Sequence, residues 1–212
     1  ARYAISAKNK TLLQKTTLAG YREYIKSGRF SELRQWFQPL QGSDLSREML
    51  VAKGVFLSSI GDFHHAKECL DRALPQLKRA DTDLYIEATL HKARVLRNFV
   101  SFAESDHLLD GLLFDLAGFP FDVVYSVVIE KLYNLCWNSR VKEAFELAYQ
   151  MIEECAKAGD LKIRAWFERY LTAICFFAGN MKESVYYYEK SLTIPEDEQQ
   201  YLDMHSINIY AA

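Results

Sequence analysis

Apolar positions along the chain recur at helical rather than strand spacing. The segment SREMLVAKGVFLSSI, residues 46–60, places Met49, Leu50, Phe56, Leu57 and Ile60 in a helical pattern. After Gly61-Asp62-Phe63 come Ala66, Leu70, Ala73 and Leu74, an i, i+4, i+7, i+8 series that forms one face of an α-helix. Together they predict two antiparallel helices joined by a tight turn at Gly61. Near the other end, WFERYLTAICFFAGNMKESVYYYEKSL repeats the arrangement around Gly179. No strand-like alternation is sustained and no βαβ order appears.

The turn is itself repeated. Gly28-Arg29-Phe30, Gly61-Asp62-Phe63, Val100-Ser101-Phe102, Ser139-Arg140-Val141 and Gly179-Asn180-Met181 align, with third residues at 30, 63, 102, 141 and 181. The intervals are therefore 33, 39, 39 and 40 residues. Small residues recur at the start of the second helix, at Ala66, Ser105, Ala144 and Ser184. A small side chain there lets two helices approach closely, and the large third residue of each triplet plugs the turn. Where glycine leads the triplet it suits a left-handed helix end. Five hairpins fill the chain at about 12–44, 45–80, 84–118, 122–158 and 160–194, with a further helix expected over 195–212. A simple four-helix bundle has no need of one turn signature five times.

Composition narrows the function classes. The 26 basic and 28 acidic residues nearly cancel, so there is no general electrostatic reason to expect direct nucleic-acid binding or an anionic membrane surface. The longest apolar runs, such as LTAICFFAG, fall far short of the ~20 residues that cross a bilayer. Cys69, Cys136, Cys155 and Cys175 form no CxxC pair and sit in apolar helical contexts, as expected of free thiols in a cytoplasmic protein. The chain opens at Ala1 without Met and stops at INIYAA inside a helical pattern, as expected of a segment cut from a longer protein.

Gly54, Leu57, Gly61, Phe63, Ala66, Leu70, Ala73 and Leu74 together resemble the tetratricopeptide repeat (TPR). The resemblance covers about residues 12–194, strongest in the second unit and degenerate in the third and fourth. It implies an all-α, right-handed superhelix of about five antiparallel helix-turn-helix hairpins, the whole chain being a single TPR-like domain. The long intervals are similar to those of the repeat domain in bacterial signal-transducing ATPase regulators of the maltose-activator type. That likeness implies a sensor between an ATPase and a DNA-binding helix-turn-helix. A constitutive protein-assembly scaffold is the alternative.

The resemblance also assigns an inner face to the first helices. The first unit offers Lys15, Arg22 and Lys26; the second Glu48, Val51, Val55 and Ser59. Arg94, Arg97 and Asn98, with Glu87, come from the third, Tyr133 and Trp137 from the fourth, and Trp166, Arg169, Ala173 and Phe177 from the fifth. The implied groove is basic in its first half and aromatic in its second, suited to a protein, a peptide or a small-molecule effector. The aromatics could equally pack between hairpins, and the arginines of RVLRN could pair with neighbouring acids. The family's carboxylate clamp, a Lys and an Asn, is replaced by Leu18 and Arg22 in the first unit, so chaperone C-terminal peptides are not the expected ligand. The apolar residues of YLDMHSINIYAA suggest self-association through a terminal helix.

Catalytic chemistry has no foothold in the pattern. There is no GxxxxGK[ST], GxGxxG or GxSxG, and so no phosphate loop, cofactor cradle or nucleophile elbow. Tandem His64-His65 point about 100° apart on a helix, and the i,i+4 pairs His64/Glu68 and Glu87/His91 lack a third ligand. Carboxylates such as Glu153-Glu154 and Asp106/Asp110 are ordinary helix-surface residues, and PEDEQQ suits a helix N-terminus. No cofactor, metal or enzyme activity is expected of this segment.

Overall fold

The computed structural model describes residues 9–40, 45–77, 82–116, 118–119, 121–159 and 161–191. Side chains at 82, 121, 122, 161, 162, 165, 166 and 191 lie outside that description, as does the further helix expected over 195–212. Every described regular element is helical. In order these are α1 (Lys10–Lys26), α2 (Phe30–Phe37), α3 (Arg47–Ser59), α4 (Phe63–Ala73), a 3-10 turn (Leu74–Gln76), α5 (Thr82–Asn98), α6 (Phe102–Asp115), α7 (Phe121–Trp137), α8 (Val141–Ala158), α9 (Leu161–Phe177) and α10 (Met181–Ser191).

Each second helix begins at the third residue of a sequence triplet: Phe30, Phe63, Phe102, Val141 and Met181. The first residue of every triplet is left-handed, with φ of 69°, 81° and 74° at Gly28, Gly61 and Gly179, and 61° and 57° at Val100 and Ser139. The middle residue closes a six-residue ring back to the helix just ended. Its N–H donates to the Tyr24, Leu57, Leu96, Leu135 and Cys175 carbonyls respectively, at 2.8–2.9 Å. This is a Schellman motif repeated five times. The carbonyl of the same middle residue then accepts the first bond of the next helix, as in Ala66 N–H to Asp62 and Ser184 N–H to Asn180. One residue thus ends one helix and starts the other.

The chain forms two compact units, residues 1–117 and 118–212. In the first, hairpins α1/α2, α3/α4 and α5/α6 pack so that α3 lies on both helices of the hairpin before it and α5 does likewise. Leu13, Leu33, Met49, Leu50, Leu70 and Leu96 are fully enclosed there, and the Phe37 and Phe56 rings stack at 5.2 Å. Gly54 is needed by contact: a Cβ there would stand 2.8 Å from Leu70 Cγ across the α3/α4 interface. In the second unit α9 packs on α7, α8 and α10 around Leu132, Phe167, Leu171 and Ile174.

The small positions of the second helices, Ala66, Ser105, Ala144 and Ser184, are all buried. Both serines add a polar pin within their hairpin. Ser105 Oγ donates to the Ala93 carbonyl and Ser184 Oγ to the Thr172 carbonyl, each at 3.0 Å and each twelve residues back. The four cysteines are free and buried. Among the described residues no helix is long and apolar enough to cross a membrane.

Candidate interaction surface

The first-helix residues of the second unit make a ladder of aromatic pairs between α7 and α9. Tyr125 meets Phe167 edge-on at 5.4 Å, Tyr133 meets Tyr170 edge-on at 5.6 Å, and Trp137 lies tilted against Phe177 at 6.0 Å. The pairs ascend together along both helices, as they must when two first helices run parallel. Edge-to-face and tilted contacts at these separations are favourable beyond the area they bury. At the base of the ladder burial pushes the Tyr125 and Tyr170 phenols far above the ordinary tyrosine range, so both stay neutral at physiological pH. Its top is open: Trp137 is 58% exposed and Phe176, beside Phe177 at 6.1 Å, is exposed as well. Arg169 is half-buried on α9, next in sequence to Tyr170.

A rigid, half-exposed indole backed by a second ring is the kind of group that anchors a protein or peptide contact, because little side-chain entropy is lost on binding. Trp137 packs against Phe177 on one side and is open to solvent on the other. The side chain of Trp166 lies outside the described residues.

The inner face of the first unit differs from its sequence-based picture. Arg22 on α1 holds Glu87 on α5 with a bidentate pair, Nε to Oε1 at 3.1 Å and Nη2 to Oε2 at 2.8 Å. Tyr21 adds its hydroxyl to the same Oε2 at 2.6 Å. The guanidinium also lies 5.2 Å from the Tyr21 ring centroid. Burial, reinforced by the Glu87 carboxylate, keeps the Tyr21 phenol protonated, and the hydrogen bonds to Glu87 hold Arg22 in its charged form. Val51 and Val55 were expected to line a groove, yet they are 0% and 3% exposed. The cause is that α3 is enclosed by α1 on one side and α5 on the other.

Of the other basic positions in the first unit, Lys15 and Lys26 are exposed. Arg94 and Arg97 are half-buried on α5, and the Asn98 amide donates to the Arg94 carbonyl at 2.9 Å, tidying the end of its own helix. Glu48 is held by its neighbour Arg47 at 2.8 Å. Sequence reasoning missed the Tyr21 hydroxyl, which looks like an ordinary core ring, and the Tyr149–Tyr187 hydroxyl contact of 3.2 Å between α8 and α10. None of these three tyrosines departs from a simple helical pattern, so nothing in the sequence marks them.

His65 Nδ1 sits 2.9 Å from the Asp62 carboxylate and His64 lies against Phe99 at 4.8 Å between ring centroids. The tandem histidines thus face different partners. Among the described residues no group of three His, Cys, Asp or Glu side chains is placed to hold a metal ion.

Comparison with solved structures places this architecture. The nearly identical TPR-like repeats of a protein described as a kinesin light chain, from Podosopora anserina, superpose with a TM-score of 0.64 at 16% identity. They cover 90% of this chain and 96% of theirs. The fold is a TPR-like helical repeat. A point variant of the same repeats gives a TM-score of 0.65 at 16% identity, covering 87% of this chain and 93% of its own. No protein-family model matches the chain, and no curated protein matches it to significance.

Proposed function

We propose that this chain is a non-catalytic helical-repeat module that binds a protein or peptide through the aromatic ladder of its second unit. The observation that carries the reading is Trp137: a tryptophan 58% exposed, fixed by Phe177 and flanked by the exposed Phe176. Arg169 lies about two turns earlier on the helix that carries Phe177, next in sequence to Tyr170. Such a cluster recognises a segment carrying an apolar or aromatic anchor. The repeats of the structural neighbours support the architecture, and the interaction role follows from the surface chemistry.

The test is selection of binders from a displayed random-peptide library, followed by calorimetric titration of the selected peptides. Trp137→Ala and Phe177→Ala should each weaken binding about tenfold or more, the loss of one hot-spot contact. Peptides that bind both variants as tightly as the parent would remove this surface from consideration.

A second reading is a sensor within a bacterial transcription regulator, favoured by the 39- and 40-residue intervals of the later repeats. It requires an ATPase and a helix-turn-helix in the same reading frame. It also requires a small molecule that raises the melting temperature by binding only the folded state. Sugars and nucleotides with no effect, in a frame of further hairpins alone, would leave the constitutive scaffold.

A further inference from the structure

One side of α10, the last described helix, is committed to its own unit. Ser184 Oγ donates to the Thr172 carbonyl of α9, Lys190 pairs with Glu168 at 2.9 Å, and the Tyr187 hydroxyl reaches Tyr149 on α8. The opposite side carries Lys182, Val185, Tyr186 and Glu189, an i, i+3, i+4, i+7 stripe in which all four are exposed. Val185 is 51% exposed and Tyr186 59%. Repeat packing does not call for these two residues. In the same register α2 places Arg34 and Gln35, α4 Lys67 and Glu68, and α6 Asp106 and His107. The stripe of α4 is polar even though the next hairpin lies against it, with His64 on Phe99 and Asp71 on Lys92. In α8 the register holds Phe145, but that ring stacks on Tyr149 of its own helix, and Tyr149 meets α10. The α10 stripe continues this aromatic seam outward, since Tyr186 meets Tyr187 edge-on at 5.2 Å.

We propose that the outer stripe of α10 is a self-association surface, on which a second copy of the chain docks α10 against α10, antiparallel, about a two-fold axis. The order of side chains singles out that occupant. Two residues separate Lys182 from Val185, and two separate Tyr186 from Glu189. An axis passing between Val185 and Tyr186 therefore sets Lys182 of each copy opposite Glu189 of the other. It also sets Val185 of one copy opposite Tyr186 of the other, so an apolar centre is flanked at both ends by opposite charges. Among the described residues neither Lys182 nor Glu189 has an ion-pair partner within the chain. A parallel arrangement would instead bring lysine to lysine and glutamate to glutamate. The contact is isologous and closes on itself, giving a dimer and not a filament. Its ion pairs are exposed and its area is one face of about three helical turns, so the dimer is a weak one. The proposal stands apart from the aromatic ladder between α7 and α9.

The experiment is analytical ultracentrifugation of the full chain over a concentration series. The parent should show a reversible monomer–dimer equilibrium with a Kd of roughly 10–100 µM, the range of a small transient interface. Lys182→Glu sets acid against acid at both ends of the contact and should weaken association about tenfold or more. Glu189→Lys should do the same with the opposite sign. Both substitutions keep a good helix former at an exposed position, so the variant chains fold. Mixed in equal amounts, the Lys182→Glu chain and the Glu189→Lys chain complement each other at both ends and should associate with a Kd near the parent's. A parent chain that stays monomeric up to roughly 1 mM overturns the proposal. So does a dimer that survives either charge reversal, which places the contact elsewhere on the molecule. Failure of the mixed variants to associate overturns the antiparallel pairing, and the proposal with it.

Discussion

Val100 stands where the equivalent positions of three other hairpins carry glycine. It is a β-branched residue at φ 61°, 71% exposed, and its side chain gives little packing in return. Left-handed backbone costs an L-residue roughly 1–2 kcal/mol, and β-branching makes the conformation rarer still. Val100→Gly should therefore raise stability by roughly 0.5–1.5 kcal/mol, part of the relief being offset by a freer unfolded chain. Urea denaturation of the pair checks it. Two helical glycines make a sharper contrast. Gly111 in α6 is exposed, and nothing lies within 4 Å of the place a methyl group would take, so Gly111→Ala should stabilise by about 0.5–1 kcal/mol. At Gly54 the same added carbon meets Leu70 at 2.8 Å, so Gly54→Ala should destabilise by about 1–3 kcal/mol. Equal effects at the two positions would contradict the packing described for α3 and α4.

Hairpins were the most legible level of this structure. The triplets name the turn because its chemistry is local: a left-handed residue, a bond five residues back, and a helix start. Even the non-glycine triplets hold the turn geometry, since their flanking helices supply the packing that enforces it. The pins made by Ser105 and Ser184 were legible only as small residues; that their hydroxyls reach the partner helix depends on an interhelical spacing no single sequence displays. Ser105→Ala should cost about 1 kcal/mol by removing a buried hydrogen bond. Ser105→Gly should cost more, since it adds the propensity penalty of a helical glycine. The Arg22–Glu87 pair was hidden for a related reason. The resemblance to the repeat family placed both on inner faces, but charge pairing across 65 positions follows from the stacking of three hairpins.

The alkaline range tests the molecule as a whole. Burial, with the Glu183 carboxylate adding to it, pushes the Cys175 thiol up to about 11 from an ordinary 9.0. An unfolded chain therefore gives up this proton first, and stability falls as pH rises between those two values. The buried phenols of Tyr21, Tyr125 and Tyr170 act in the same direction at higher pH. Melting temperature should drop from about pH 9 to about pH 11, and Cys175→Ala should flatten the first part of that fall. A melting curve indifferent to pH in this interval would contradict the burial assigned to these groups. The shared turn residue has a consequence for anyone re-engineering the chain. Because Arg29, Asp62, Ser101, Arg140 and Asn180 each serve two helices at once, there is no slack inside a hairpin for an added residue. A tag, a fluorophore loop or a cleavage site would break both helices if spliced beside one of these five. Insertions belong between hairpins instead. The end of α2 at Phe37 and the start of α3 at Arg47 share no residue, so the chain can be cut or lengthened there with both helices left whole.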